Sequence, residues 1–416
     1  METLYSRSIL ETLPDEILLE ICKYMLCIEV LQSFCGLNSR ITRMITQYRH
    51  NVSLYKATFT QSSYVCTSVL PKIGSHIRSL TIDCCYSVLQ DDLFNKHFGN
   101  KMSIMFPHLQ KLSLVMFQNE RLVAFLDNLY NLNDLVELHL YELFDINREQ
   151  QSFVLQKLLQ ANNHQLTSVI IDDQSSCLSF NHNDCFINIL QLRINIKTVA
   201  DLPFLFAAIP NVHYLDVRIE TSDEAPVEFD KIVISPLTYL TDFRLKSSRR
   251  CWILQELFIL LCQLPILERL SLFISTNDIS LVQGNTLLSM FSSTVQQFHY
   301  AIYYFYDTQS NQDEAIIASW PPSHPISCIV NDNFIFVYTL PWSFTRQTLY
   351  LPTVKTIFSQ ANSAAGCDRQ PEVVEIVINR NFTLSRYLTI MSQYRRIREI
   401  IIWMSNRGDA VEGMRV

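Results

Sequence analysis

The chain has 416 residues, 48% of them hydrophobic, and a formal charge of −7 from 33 cations and 40 anions. That balance argues against a general nucleic-acid coat and leaves room only for a local basic patch, so no nucleic-acid partner is expected. No run reaches the roughly 18–20 uninterrupted apolar residues of a spanning helix. Trp252 to Leu267, the most apolar stretch, is broken by Gln255, Glu256, Gln263 and Pro265, and no membrane partner is expected either.

The opening, Met1-Glu2-Thr3-Leu4-Tyr5-Ser6-Arg7, lacks the basic segment, long apolar stretch and small-residue cleavage site of a secretory signal. The 12 cysteines form no C-x-x-C pair and no regular framework. Both features point to a reducing cytoplasmic or nuclear location, with a cysteine such as Cys262, between Leu260, Leu261 and Leu264, reading as a small buried hydrophobe.

Residues 13–25 place Pro14, Asp15 and Glu16 where a helix start favours them, then Ile17, Leu18, Ile21, Tyr24 and Met25 at helical spacing. A second helix is expected near Ile28, carrying Val30, Leu31 and Phe34, and a third over Ser39 to Ile45. This stretch resembles the F-box, whose pattern is L-P-x-E-[IL]-[LI]-x-x-I-x-x-[YH]-L followed by an acidic-Leu pair and V-S-[RK]-x-[WF]. The match falls on Leu13, Pro14, Glu16, Ile17, Leu18, Ile21 and Tyr24, with Met25 in the Leu place and Glu29-Val30-Leu31 in the second helix. Ile41 departs from it, since the family usually has an aromatic residue there.

The resemblance implies a small all-α F-box domain over residues 1–50. Its three helices would dock on a Skp-type adaptor, which links them to a cullin scaffold and a ubiquitin-conjugating enzyme. The residues expected to bind the adaptor are Leu13, Pro14, Ile17, Leu18, Ile21, Val30, Leu31 and Leu37. A plainer reading makes the same aliphatic residues the core of a helical cap on a repeat array.

From residue 77 an L-x-x-L-x-L skeleton recurs: Ile77/Leu80/Ile82, Leu109/Leu112/Leu114, Leu135/Leu138/Leu140, Leu166/Val169/Ile171, Ile189/Leu192/Ile194, Val212/Leu215/Val217, Leu240/Phe243/Leu245, Leu267/Leu270/Leu272 and Val295/Phe298/Tyr300. It returns at Val373/Ile376/Ile378 and Ile397/Ile400/Ile402. The spacing resembles that of leucine-rich repeats, whose period is about 20–29 residues. The last two apolar positions of each unit alternate on a strand and so share one face, which only stacking with neighbouring units can bury.

The expected fold class is therefore α/β: a leucine-rich-repeat solenoid with a curved parallel sheet and helices on the convex side, preceded by the small helical domain. The array is assigned residues 51–310. Its returning helices are expected at Arg121–Leu129, Gln151–Leu159, Leu202–Ala208 and Ile253–Cys262, with a first one over Tyr64–Ile73. Pro107, Pro210 and Pro265, each two residues before a repeat's first apolar position, are expected to end the preceding helix.

Residues 311–416 are assigned an irregular hairpin insertion and degenerate C-terminal repeats. The hairpin pairs Ile326–Val330 with Phe334–Thr339 around Asn331-Asp332-Asn333. Ala361–Gln370 reads as a flexible connector, and Gly408–Val416 as a fraying end.

Only 7 glycines occur, none spaced for a phosphate-binding loop or nucleophile elbow. The 10 histidines form no zinc-spaced set. No catalytic residue, metal site or cofactor is assigned, and the chain is not expected to be an enzyme. Recognition is expected instead on the concave sheet face, through Lys111, His139, Tyr141, Arg193, Arg218, Arg244, Lys246 and Arg269. Arg193, Arg218, Arg244, Lys246 and Arg269 are expected on consecutive rungs, where stacking would concentrate positive potential and suit an acidic or phosphorylated peptide. The sequence thus reads as the substrate-recognition subunit of an SCF-type cullin ubiquitin ligase. The alternative is a leucine-rich-repeat interaction scaffold with no ubiquitin-ligase role.

Overall fold

A computed structural model describes residues 12–48, 50–85, 89–144, 146–181, 184–221, 234–291, 294–306, 312–331, 334–340, 344, 346–350, 354–359, 373–378, 399–405 and 411–415. The chain is mixed α/β, with a mostly parallel sheet, and is compatible with an α/β solenoid. It divides into two compact units, the first holding residues 1–197 and 204–213, the second residues 198–203 and 214–416.

The first unit opens with three helices, α1 (Asp15–Lys23), α2 (Cys27–Phe34) and α3 (Ser39–Tyr48). Local signals fix their ends. Asp15 and Glu16 lie in the first turn of α1 and Lys23 in its last, complementing the helix dipole. Glu29 accepts the Leu26 N–H at 2.9 Å, and Asn38 accepts that of Ile41 at 2.9 Å, which starts α2 and α3. Arg40 on α3 donates to the Leu13 carbonyl at 2.7 Å and lies 3.6 Å from Asp15, tying α3 to the head of α1.

β1 (Asn51–Ser53) follows at once and pairs parallel with β2 (Ser79–Asp83). Between them the expected Tyr64–Ile73 helix is split into α4 (Phe59–Tyr64), a π-helical turn (Val65–Val69) and α5 (Leu70–Ile73). Pro71 has no N–H to continue the α-helical ladder, and the wider turn absorbs that gap.

β3 (Lys111–Val115), β4 (Glu137–Tyr141), β5 (Ser168–Ile171) and β6 (Gln191–Ile196) extend the parallel ladder in sequence order. α6 (Gln90–Phe98) and α7 (Met102–Met105), then α8 (Asn119–Leu126) and α9 (Gln151–His164), provide returns between strands. The row Leu80, Leu112, Leu138, Val169, Leu192 is fully buried. Each such side chain contributes about 1.5–3 kcal/mol. α10 (Leu202–Ala208) follows β6.

A four-residue turn sets the spacing of the repeat. The N–H of Leu109 bonds to the Phe106 carbonyl, Leu135 to Leu132, Ile189 to Phe186, Val212 to Ile209, Leu240 to Leu237 and Leu267 to Leu264, at 2.9–3.4 Å. The last residue of each turn is the first apolar position of its unit. Pro107, Pro210 and Pro265 occupy the second position of three of these turns, where their fixed φ is favoured. Their role is to shape the turn rather than only to end the helix before it.

In the second unit β7 (Tyr214–Ile219), β8 (Asp242–Trp252), β9 (Arg269–Thr276) and β10 (Gln297–Phe305) are parallel. α11 (Leu254–Leu261) and α12 (Gly284–Ser289) are the returns. α13 (Gln312–Ala318) precedes β11 (Ile326–Asn331), which forms the expected hairpin with β12 (Phe334–Thr339). That hairpin joins the sheet by antiparallel pairing of β12 with β10.

A separate sheet contains β13 (Arg346–Tyr350), β15 (Val373–Ile378), β16 (Glu399–Ser405) and β17 (Val411–Arg415), while β14 (Val354–Ser359) pairs with β11. Two expectations need correcting. Val411–Arg415 does not fray, because it pairs antiparallel with β16. Cys262 is exposed, since it caps α11 off the stripe formed by buried Leu257 and Leu260. The connector expected at Ala361–Gln370 lies outside the described residues.

Candidate functional site

Two surfaces carry the residues that the sequence singles out. Ile17 and Ile21 on α1 and Tyr24 at its C-terminal cap recur at i, i+4 and i+7 and share one side of the helix. That side faces solvent: Ile17 is 49%, Ile21 38% and Tyr24 85% exposed. Pro14 is exposed on the same side, Leu13 is half-buried, and Leu26 and Leu37 add exposed apolar surface nearby in the chain.

The opposite side of α1 turns Leu18 and Cys22 into the interior. Val30 and Leu31 are also fully buried, because α2 is packed against α3, α4 and β1. Leu18, Val30 and Leu31 therefore build the head and are not available to touch an adaptor, a correction to the expected docking set. Leu13, Pro14, Ile17, Ile21 and Leu37 keep solvent-accessible surface. Tyr24 and Leu26 carry exposed apolar surface that the expected set left out, although the helical period from Ile17 picks out Tyr24 directly.

The second surface is the sheet face turned away from the buried Leu rows. In the first unit it carries Lys111 beside Glu137 at 3.4 Å, and Arg193 bonded to Asp173 at 2.6 Å. His139 stands between these cations, 8% exposed, with Nδ1 3.2 Å from the Tyr141 hydroxyl. Burial holds its imidazole at a pKa of about 4; Lys111 and Arg193 push the same way and Glu137 opposes them. It is neutral at physiological pH. Burial also raises the Tyr141 phenol, so it keeps its proton.

In the second unit Arg218, Arg244, Lys246 and Arg269 do not form one line. Strand register puts Tyr214, Asp242, Arg269 and Gln297 in one row, Asp216, Arg244, Ser271 and His299 in the next, and Arg218, Lys246, Phe273 and Ala301 in a third. The acids in these rows take up the positive charge. Asp242 lies 2.9 Å from Arg269 and 3.5 Å from Arg244, while Asp216 lies 3.6 Å from Lys246. Arg244 also stacks over the Tyr214 ring at 5.2 Å. Asp216 and Asp242 are 3% and 4% exposed, so the pairs are partly desolvated. The expected consecutive-rung stripe is thus a checkerboard of paired charges, because acids alternate with bases along and across the strands.

Among the described residues no group of three or more His, Cys, Asp or Glu side chains is arranged to hold a metal ion, and no helix is long and apolar enough to cross a membrane. No protein-family model matches the chain, and no curated protein matches its sequence.

Proposed function

We propose that the chain is the substrate-recognition subunit of an SCF-type cullin ubiquitin ligase, with an F-box head docking on a Skp-type adaptor and leucine-rich repeats holding a target protein. The observation that carries this reading is the apolar side of α1. Ile17, Ile21 and Tyr24 form a solvent-facing stripe on a helix whose sequence resembles the F-box. Leaving three large apolar side chains in water on one helix side is unfavourable by a few kcal/mol unless a partner covers them.

The mechanism is proximity. The head fixes the chain to the ligase, and the repeats raise the effective concentration of target lysines near the charged conjugating enzyme. The sheet face offers paired charges rather than a bare basic strip, so recognition there would rest on exchanging existing ion pairs and on Tyr141 and Tyr214. Co-expression of the full chain with a Skp-type adaptor tests the reading. A complex that co-elutes through size-exclusion chromatography and supports cullin-dependent ubiquitin transfer is expected. A chain that stays free of adaptor, yet is folded, leaves the interaction scaffold as its role.

A further inference from the structure

A cavity of about 610 Å³ in the first unit takes no part in either surface described above. It opens at the carboxyl ends of three neighbouring strands: Cys84 and Cys85 follow β2, Met116 follows β3 and Glu142 follows β4. The first turn of α8 and Gln150 supply other parts of its wall.

Most of its charges have partners. Arg121 reaches both oxygens of buried Asp91, at 3.0 and 3.3 Å, and lies 3.3 Å from Asp92. Glu120 sits in the first turn of α8, where a carboxylate answers the partial positive charge of the helix start. Glu142 is different. Its backbone N–H is held by Asp172 at 3.0 Å, but its carboxylate makes no ion pair among the described residues.

The same cavity holds an orphan acceptor. Asn119 donates through Nδ2 to Gln150, while its Oδ1 is buried with no hydrogen-bond partner. A buried acceptor left unsatisfied costs about 1–3 kcal/mol, which a donor-bearing ligand would recover. Phe144, 40% exposed, also lines the cavity and presents an aromatic ring. The wall thiols sense negative potential too: burial, then Asp91, push Cys84 up to about 12, and Cys85 is raised by burial, Asp83 and Glu142. The buried Cys84 thiol therefore keeps its proton at neutral pH.

We propose that this cavity binds a guanidinium, the side chain of an arginine in a peptide or protein segment. The cation answers Glu142, an N–H is donated to Asn119 Oδ1, and the guanidinium plane lies on Phe144. A planar ion with five donors fits a carboxylate, an amide oxygen and a ring together, whereas the ammonium of lysine is a compact, strongly hydrated point charge. The inference concerns this cavity alone and holds whether or not the helical head docks on an adaptor.

Fluorescence polarisation on the full chain tests it, using a labelled pentapeptide with one arginine among glycine and serine, and the same peptide with citrulline, a neutral isostere. The arginine peptide is expected to bind at least about tenfold more tightly than the citrulline peptide, and Glu142→Gln to erase that difference. Equal binding of the two peptides, retention of the preference in Glu142→Gln, or no binding of the arginine peptide up to about 10 mM would overturn the proposal. Should Glu142→Gln melt differently from wild type, the citrulline comparison decides without it.

Discussion

Arg269 Nε lies 2.9 Å from a carboxylate oxygen of Asp242 on the adjacent strand, and Arg244 on the same strand as Asp242 shares that carboxylate at 3.5 Å. One buried acid thus neutralises two arginines that would otherwise dominate this part of the sheet face. Asp242→Asn is expected to raise retention on a heparin column, because it frees both cations at once. The stability loss should be only about 1 kcal/mol, since both arginines are well exposed and can relax into water. Elution salt and a urea titration check the two halves. Unchanged heparin retention would mean that other acids hold these arginines.

Asn162 is the second test point. Its Oδ1 accepts the Leu132 N–H at 3.2 Å, and its Nδ2 donates to the carbonyls of Leu132 at 2.8 Å and Leu135 at 3.1 Å. It therefore braces, from the following repeat, the Leu132–Leu135 turn that leads into β4. It also sits at φ 54°, a left-handed conformation. Asn162→Gly, which tolerates that backbone, is expected to lose about 2 kcal/mol from the unmade hydrogen bonds. Asn162→Ala should lose about 1 kcal/mol more, from the left-handed φ. Chemical denaturation of the two variants would show that order; Ala equal to Gly would remove the backbone argument.

His139 gives a pH dependence with a definite sign. Its folded pKa, about 4, lies below the ordinary value of 6.5. Between those values the unfolded chain holds a proton that the folded chain does not, so folding stability rises with pH. The contribution is complete above pH 6.5 and is lost as pH falls towards 4, amounting in full to about 3 kcal/mol. His139→Gln should flatten the fall in urea midpoint between pH 7.5 and 5. An identical fall in wild type and variant would place the proton uptake elsewhere.

Much of the fold was legible because the repeat has a local cause. The i to i+3 turn and the two alternating strand positions are set by residues within one unit, so Leu267-x-x-Leu270-x-Leu272 could be read directly as a turn and a strand. The hairpin of β11 and β12 was equally local. What the sequence did not disclose depends on contacts made at a distance. Leu18 and Ile17 are adjacent and chemically alike, yet only Leu18 is buried, and Val30 and Leu31 lost their place as contacts because α4 and β1 cover α2. The cations misled for a related reason: strand register, which puts Asp242 beside Arg269, is a property of neighbouring strands. The cavity could not be found by motif, since its wall comes from the ends of three strands and the start of a helix.

The central claim is that α1 presents Ile17, Ile21 and Tyr24 to a partner while Leu18 holds the head together. Calorimetric titration of a purified Skp-type adaptor into the full chain, comparing wild type, Ile17→Asp/Ile21→Asp and Leu18→Ala, tests it most directly. The double variant is expected to keep the wild-type melting temperature and lose adaptor affinity by at least about a hundredfold, roughly 2.7 kcal/mol. Leu18→Ala should instead lose about 2–5 kcal/mol of stability. Full adaptor affinity in a folded Ile17→Asp/Ile21→Asp protein would contradict the claim.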